Sequence, residues 1–357
     1  MKLHEDKKTF AQFIMHIHEK SGYRMDVLEK DYYVVLMLNE LAEKQRAGLP
    51  AYFKGGTALY KMLRSAQRFS EDIDLSVDST ECSRTQNDKR LANAAKRYTA
   101  LERNVEETIT HRSEVISQFT YDPVVKYAEN DALQRFGNVK VEATSFTISE
   151  PIEPLTVSAL LYELANEDER KSLRELYDME PFVVQAITAE RLFVDKIFAA
   201  EAYVRDSKNP KRAFEAAKHI YDLAVMAQLP RIQHLLSDES TLKMLLDVRM
   251  REEKNRLDGI PNVKPSEFIL FRQAKVDLPT QEAYEKMLSQ YVFQEKDRFD
   301  YRAAMDALES IGTRLMERSA WKNYSVKRGI RDKITGFQAQ VGKERTKPIE
   351  KIPERDR

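Results

Sequence analysis

The spacing of apolar and polar residues divides this chain into a mixed first part and a helical remainder. Residues 26–47, DVLEKDYYVVLMLNELAEKQRA, repeat their apolar positions at helical intervals, and Gly48 and Pro50 end the helix. A short apolar run at 51–53 meets Lys54-Gly55-Gly56-Thr57, where the glycine pair breaks any strand; helical composition resumes at 58–64. Glu71-Asp72-Ile73-Asp74-Leu75-Ser76-Val77 alternates strictly. This predicts a strand with Ile73, Leu75 and Val77 on one face and Asp72, Asp74 and Ser76 on the other. Residues 84–118 read as polar helix. A second alternating segment, Val139-Lys140-Val141-Glu142-Ala143, places Lys140 and Glu142 on one face. Pro151 and Pro154 mark a break, residues 155–180 complete the mixed part, and 188–324 read as helical almost throughout. The expectation is an α+β fold: a core lobe over 1–180, a helical lobe over 181–325 and a tail over 326–357. A length of 357 residues exceeds what one hydrophobic core usually organises, which agrees with two lobes.

Composition refines this picture modestly. With 42% hydrophobic and 32% charged residues the chain reads as globular with a charged helical surface, and ten glycines are too few for a turn-rich all-β fold. Basic and acidic residues balance at 58 each, so only the placement of charge informs. Residues 322–357 hold eleven basic and five acidic side chains. That tail suits a polyanion, or a solvated, partly disordered end with no partner. One cysteine, Cys82, excludes an intrachain disulfide and points to a reducing compartment. The first twenty residues lack an apolar leader, and no run approaches the ~20 apolar residues of a membrane span. A cytoplasmic protein without membrane contact is expected.

Candidate chemistry centres on the two strands. Asp72 and Asp74, roughly 7 Å apart on one strand face, can reach one hard cation or a pair. Mg²⁺ takes few protein carboxylates and completes its shell with water and phosphate oxygens. The same pair also suits the wet face of an edge strand. The Gly55-Gly56-Thr57 turn, between strand and helix, offers backbone amides and a helix dipole to phosphate, or is an ordinary tight turn. Glu142 becomes a third carboxylate if its strand neighbours that of Asp72; otherwise it is a solvated acid.

Lys196 lies inside an apolar arc of Leu192, Phe193, Ile197, Ala199 and Ala200, with Arg191 and Asp195 in the polar gap. A lysine so placed pairs with an anion, either a triphosphate or a structural carboxylate. Asp222 falls on a helix capped at Asn209 with Pro210 first, on a polar side shared with Glu215, Lys218 and His219. Periodicity reads that side as solvated. The run 205–218 holds Arg205, Lys208, Lys211, Arg212 and Lys218 against Asp206 and Glu215, a basic rim for a polyanion or another solvated face. The six histidines show no metal-ligand spacing, and no Ser/His/Asp or Cys/His arrangement is legible.

Lys54-Gly55-Gly56-Thr57-Ala58-Leu59, followed by Arg68-Phe69-Ser70-Glu71-Asp72-Ile73-Asp74-Leu75, resembles motif I of the AbiEii/AbiGii toxin family. These are nucleotidyltransferase-fold toxins of bacterial toxin–antitoxin and phage-defence systems. Glu29-Lys30-Asp31-Tyr32-Tyr33 resembles the family's helix before the glycine turn, Glu190-Arg191-Leu192-Phe193 with Asp195-Lys196-Ile197 its later Glu-Arg…Lys motif, and His219-Ile220-Tyr221-Asp222-Leu223 its terminal Tyr-Asp-Leu motif. The likeness spans roughly residues 28–225. Thr57 stands where the wider superfamily usually has Ser, which keeps the hydroxyl. Fourteen residues separate Thr57 from Asp72, longer than in that superfamily but usual for these toxins.

The resemblance implies a small mixed sheet with flanking helices and a helical lobe closing a nucleotide cleft. It implies Asp72 and Asp74 as ligands of Mg²⁺ or Mn²⁺, and Asp72, Asp74, Lys196 and Asp222 as catalytic, a set to which the strand reading adds Glu142. Gly55, Gly56, Thr57, Arg68, Ser70 and Lys196 would hold a nucleoside triphosphate, and the basic rim read from the sequence gives Lys208, Lys211 and Arg212 to the acceptor. The implied reaction moves a nucleoside monophosphate to an acceptor, with a tRNA 3′ end as the expected one and an antitoxin as the neutralising partner. Two rivals are nucleotidylation of a protein or small molecule, and a non-catalytic protein that binds RNA or an antitoxin.

Overall fold

The computed structural model describes residues 1–64, 68–111, 113–125, 136–255, 264–272 and 276–326. The basic tail lies, from residue 327 on, outside the described residues. The first part runs α1 (Lys7–Ser21), α2 (Met25–Arg46), β1 (Ala51–Lys54), α3 (Gly55–Leu63), β2 (Ile73–Val77), α4 (Arg84–Ala95), β3 (Glu102–His111), β4 (Glu114–Thr120), β5 (Asn138–Thr144), β6 (Ile152–Val157), α5 (Leu160–Glu163), α6 (Glu167–Tyr177) and β7 (Phe182–Ile187). Helices follow: α7 (Ala189–Val204), α8 (Pro210–Met226), α9 (Pro230–Leu235), α10 (Glu239–Asn255), α11 (Leu278–Tyr291), α12 (Tyr301–Met316) and α13 (Ser319–Lys322). The α+β class expected from the sequence is the class found.

The seven strands form one mixed sheet in the order β3-β4-β5-β2-β1-β7-β6. The β2–β5 and β1–β7 pairs are parallel and the others antiparallel. Ile73, Leu75 and Val77 of β2 and Val139, Val141 and Ala143 of β5 are buried on one face, as their alternation predicts. The opposite face of the same strands is polar.

Residues 84–118 depart from the expected helix: only α4 is helical, and a β3–β4 hairpin occupies the rest. Val115, Ser117 and Phe119 alternate into the core. A serine at the middle inward position hides this period from a reading that counts apolar residues alone.

The Glu29-Lys30-Asp31 run of α2 is structural. Glu29 accepts hydrogen bonds from the backbone amides of Val124 (2.7 Å) and Val125 (3.3 Å), and burial lifts its pKa to about 7. The Lys30 ammonium donates to the Asn138 carbonyl at the start of β5. Asp31 accepts from Lys61 Nζ of α3 (2.6 Å) and from the Leu160 amide opening α5 (2.6 Å). Three successive charges thus tie one helix to a loop, a strand and two other helices.

The helical part packs around α8, which begins as its sequence dictates: Asn209 accepts from the Lys211 amide and Pro210 takes the first position. Helix α7 is capped by Thr188 through the Arg191 amide. One continuous apolar core runs from α1 to α13. No helix among the described residues is long and apolar enough to cross a membrane.

Candidate active site

The strand register lines up the polar groups. Lys54 of β1 is the Cα partner of Asp74 on β2, and Asp74 is the partner of Glu142 on β5. Partners across a sheet point to the same face, so Lys54, Asp74 and Glu142 stand abreast, with Ser76 and Thr144 two residues on. Lys54 Nζ donates to Thr144 Oγ1 at 3.0 Å. Asp72 lies one residue ahead of β2, with Oδ2 3.7 Å from Lys140 Nζ; the same ammonium is 3.4 Å from Glu142 Oε2.

The Asp74 carboxylate lies hard against Gly55, the first residue of α3. A Cβ there would fall 1.9 Å from Asp74 Oδ2, and Gly55 has φ +82°. Burial, then the charges of Glu142 and Asp72, raise the Asp74 pKa to about 6. Asp72, Asp74 and Glu142 are oxygen donors with one lysine inserted among them. Among the described residues no group of three or more His, Cys, Asp or Glu side chains is placed to hold a metal ion by itself. A cation shared by two of these carboxylates would need further oxygen ligands from substrate or water.

Lys196, which the sequence leaves between a triphosphate and a structural carboxylate, meets Asp222. Lys196 Nζ is 2.7 Å from Asp222 Oδ2, and Arg68 donates from Nε and Nη2 to the two carboxylate oxygens, each at 2.9 Å. Asp222 is 4% exposed, which corrects the solvated face read from periodicity. Gly56 backs this clamp: a Cβ there would lie 2.8 Å from Arg68 Nη2 and 2.6 Å from Ser70 Oγ. Thr57 is buried and its hydroxyl donates to Ser70 Oγ at 3.0 Å. Gly56, Arg68 and Asp222 border a small hollow with Tyr221, while Gly55 and Lys196 open on the large cleft.

That cleft, about 450 Å³, lies between the polar sheet face and α7, α8 and α10. Lys54, Gly55, Asp74, Ser76, Glu142 and Thr144 form one wall, and Asp195, Lys196, Tyr203, Arg212 and His219 another. The third comes from α10, in a region where the sequence offered no role. Arg249 reaches Asp195 (3.4 Å), Glu252 (3.3 Å) and Glu253, and Arg191 reaches Glu252 at 2.7 Å. Arg191 is 1% exposed, against the polar gap expected for it, because Glu252 and Asp195 neutralise it. Glu252 also accepts from the Ile148 amide, tying α10 to the loop after β5.

Of the expected acceptor residues, Arg212 lines the cleft and pairs with Asp206 at 2.9 Å. Lys208, just before α8, and Lys211, in its first turn, are exposed and do not line it. Neighbouring Arg205 pairs with Glu201 and Lys218 with Glu215. Lys54, Tyr203 and His219 line the cleft without having been singled out; the signal for Lys54 was its place one residue before the glycine pair.

Comparison with known proteins adds a family and one structural likeness. The family model described as nucleotidyl transferase AbiEii toxin, type IV toxin–antitoxin system, matches residues 37–310. No curated protein matches the chain. Among solved structures, JHP933 from Helicobacter pylori is similar over 89% of this chain and 98% of its own, at 13% identity and a TM-score of 0.36.

Proposed function

The chain belongs to the AbiEii family of nucleotidyl transferase toxins of type IV toxin–antitoxin systems, and from that premise we propose that it moves a nucleoside monophosphate from a nucleoside triphosphate to an acceptor hydroxyl, releasing pyrophosphate. The observation that carries this reading is the alignment of Lys54, Asp74 and Glu142 across three strands at one side of a cleft that Lys196 also lines.

Asp72 and Asp74, with Glu142 beside them, would hold Mg²⁺ or Mn²⁺, whose chemistry there is to neutralise phosphate charge and favour the attacking hydroxylate. Gly55 brings the start of α3 against the carboxylates, so backbone amides and the helix dipole face the same space. Lys54 and Lys196 supply fixed positive charge to the triphosphate as the leaving pyrophosphate gains charge. Arg68 and Asp222 hold Lys196 in place. Gly56, Thr57 and Ser70 support that geometry from behind the cleft.

The acceptor we favour is RNA, with a tRNA 3′ end foremost, because exposed Lys208 and Lys211 lie beside cleft-lining Arg212 on α8. Such an acceptor places the work in the cytoplasm and makes growth arrest, relieved by an antitoxin and useful against phage, the physiological result.

The test incubates purified protein with Mg²⁺ and each α-labelled nucleoside triphosphate, against total RNA and total soluble protein. Label should enter the tRNA band and vanish with Asp74→Asn. Label in protein alone would reassign the acceptor, and no label in any fraction would favour a non-catalytic binder.

A further inference from the structure

One wall of the cleft carries a stacked column. Tyr203, near the end of α7, lies almost parallel to His219 of α8, with ring centroids 5.5 Å apart at 11°. The Arg212 guanidinium carbon is 4.9 Å from the Tyr203 ring centre. Arg212 and His219 are seven residues apart on α8, which is about 10.5 Å of helical rise. The two separations laid end to end match that rise, the spacing that groups on opposite faces of one ring require. All three line the cleft.

The two faces of Tyr203 are held differently. Burial, then the neighbouring Lys196, drops the His219 pKa to about 3, so the imidazole behind Tyr203 stays neutral. Its Nδ1 is buried without a hydrogen-bond partner among the described residues, and packing alone holds the ring. Arg212 is held by Asp206, whose side chain is 59% exposed, and by one long hydrogen bond of 3.4 Å from Nη2 to the Ala202 carbonyl; such a surface pair holds little. Beside the ring, Ala199 and Ala202 line the cleft with the shortest side chains that α7 presents there. One face is therefore fixed and the other is closed by a group that can swing away.

The geometry points to Tyr203, backed by His219, as a stacking platform for a nucleobase, which slides over the ring in the place of the Arg212 guanidinium while Arg212 closes above it. This rests on the nucleotidyl-transfer reading of the same cleft. Lys196 is seven residues before Tyr203 on α7, about 10.5 Å along the axis, so a base on the ring and a phosphate chain at Lys196 fit one extended ligand. Stacking takes any base, because every base offers a π-face, and Arg212 adds a cation–π contact. The base belongs either to the incoming nucleotide or to the end of the acceptor.

Equilibrium binding to the full chain decides this with three probes: inorganic tripolyphosphate, the four nucleoside triphosphates and a short single-stranded RNA. Tyr203→Leu should weaken a base-bearing probe about tenfold, the range for loss of one stacked base. Tripolyphosphate should bind unchanged, and Tyr203→Trp should restore the affinity. Loss in the nucleotide arm assigns the platform to the substrate base, and loss in the RNA arm alone assigns it to the acceptor. Should Tyr203→Leu melt early, Ala199→Phe, which fills the space beside the ring, must reproduce the loss. Unchanged affinity for nucleotide and RNA in these variants overturns the platform and leaves the nucleotide reading standing. A wild-type protein that binds no nucleotide overturns both.

Discussion

Arg68 and Asp222, 154 residues apart in the chain, are joined by two parallel hydrogen bonds of 2.9 Å. Burial would raise the Asp222 pKa, but Arg68 and then Lys196 outweigh it and hold the carboxyl below its ordinary range. A depressed carboxylate stabilises the fold above its unfolded pKa and ceases to do so as pH falls through the folded value. At neutral pH its contribution is fully present. Asp222→Asn leaves two buried cations uncompensated, and urea unfolding should record a loss of about 3–5 kcal/mol. Lys196→Met spares the two-point pair and should cost clearly less. Equal losses would mean that the three charges do not divide as the geometry states.

Cation binding should depend on pH through Asp74, whose pKa is raised to about 6. Below that value the site must release a proton to take a cation. Mn²⁺ affinity, followed by its paramagnetic resonance, should therefore rise between pH 5 and 7 and level off above. In Asp74→Asn that rise should be lost. Without a cation the same raised pKa makes folding less favourable as pH climbs from about 4 to 6, because the folded state there binds more protons than the unfolded one.

Gly55 and Gly48 form a matched pair for testing the turn. Both have positive φ, +82° and +92°, but a Cβ on Gly55 would strike Asp74, whereas one on Gly48 would meet nothing within 4 Å. Alanine at either position should cost about 1–2 kcal/mol of backbone strain. Gly48→Ala should keep nucleotidyl transfer near normal, while Gly55→Ala should lower it at least tenfold by displacing the carboxylate. Comparable activities in the two variants would remove the close approach from the mechanism.

Lys208 and Lys211 are exposed and stand outside the cleft. Neutralising both should flatten the salt dependence of RNA binding by roughly 0.7–0.9 log–log units per lost phosphate contact. Turnover on a minimal acceptor should persist. An unaltered slope in filter binding would leave these lysines as solvated surface.

Local signals in the sequence carried α2, β2, β5 and the Asn209 cap, because each depends on residues within a few positions of one another. The polar face of β2 was equally legible. Its meeting with Glu142 was conditional, since strand order depends on packing that no single segment records. Lys196 showed its need for an anion through its apolar arc, but the anion proved to be Asp222, 26 residues on. Asp222 itself looked solvated: helical periodicity reports neighbours on one helix, and Arg68 arrives from elsewhere. Arg191 misled for the same reason, as its partner Glu252 sits on α10 and a buried ion pair is indistinguishable in sequence from two surface charges. The β3–β4 hairpin was missed because Ser117 occupies an inward position.

The cleft's walls also have an order in time. A ribosome extends the chain from its N-terminus, so the glycine turn, Asp72, Asp74 and Glu142 all emerge before α7 and α8, and α10 later still. A half-made chain thus displays the acids while Asp222, Lys196 and the Arg249–Glu253 wall are still unmade. The 154 residues between Arg68 and Asp222 therefore mean that the walls of the cleft can meet only after more than half of the chain has been made.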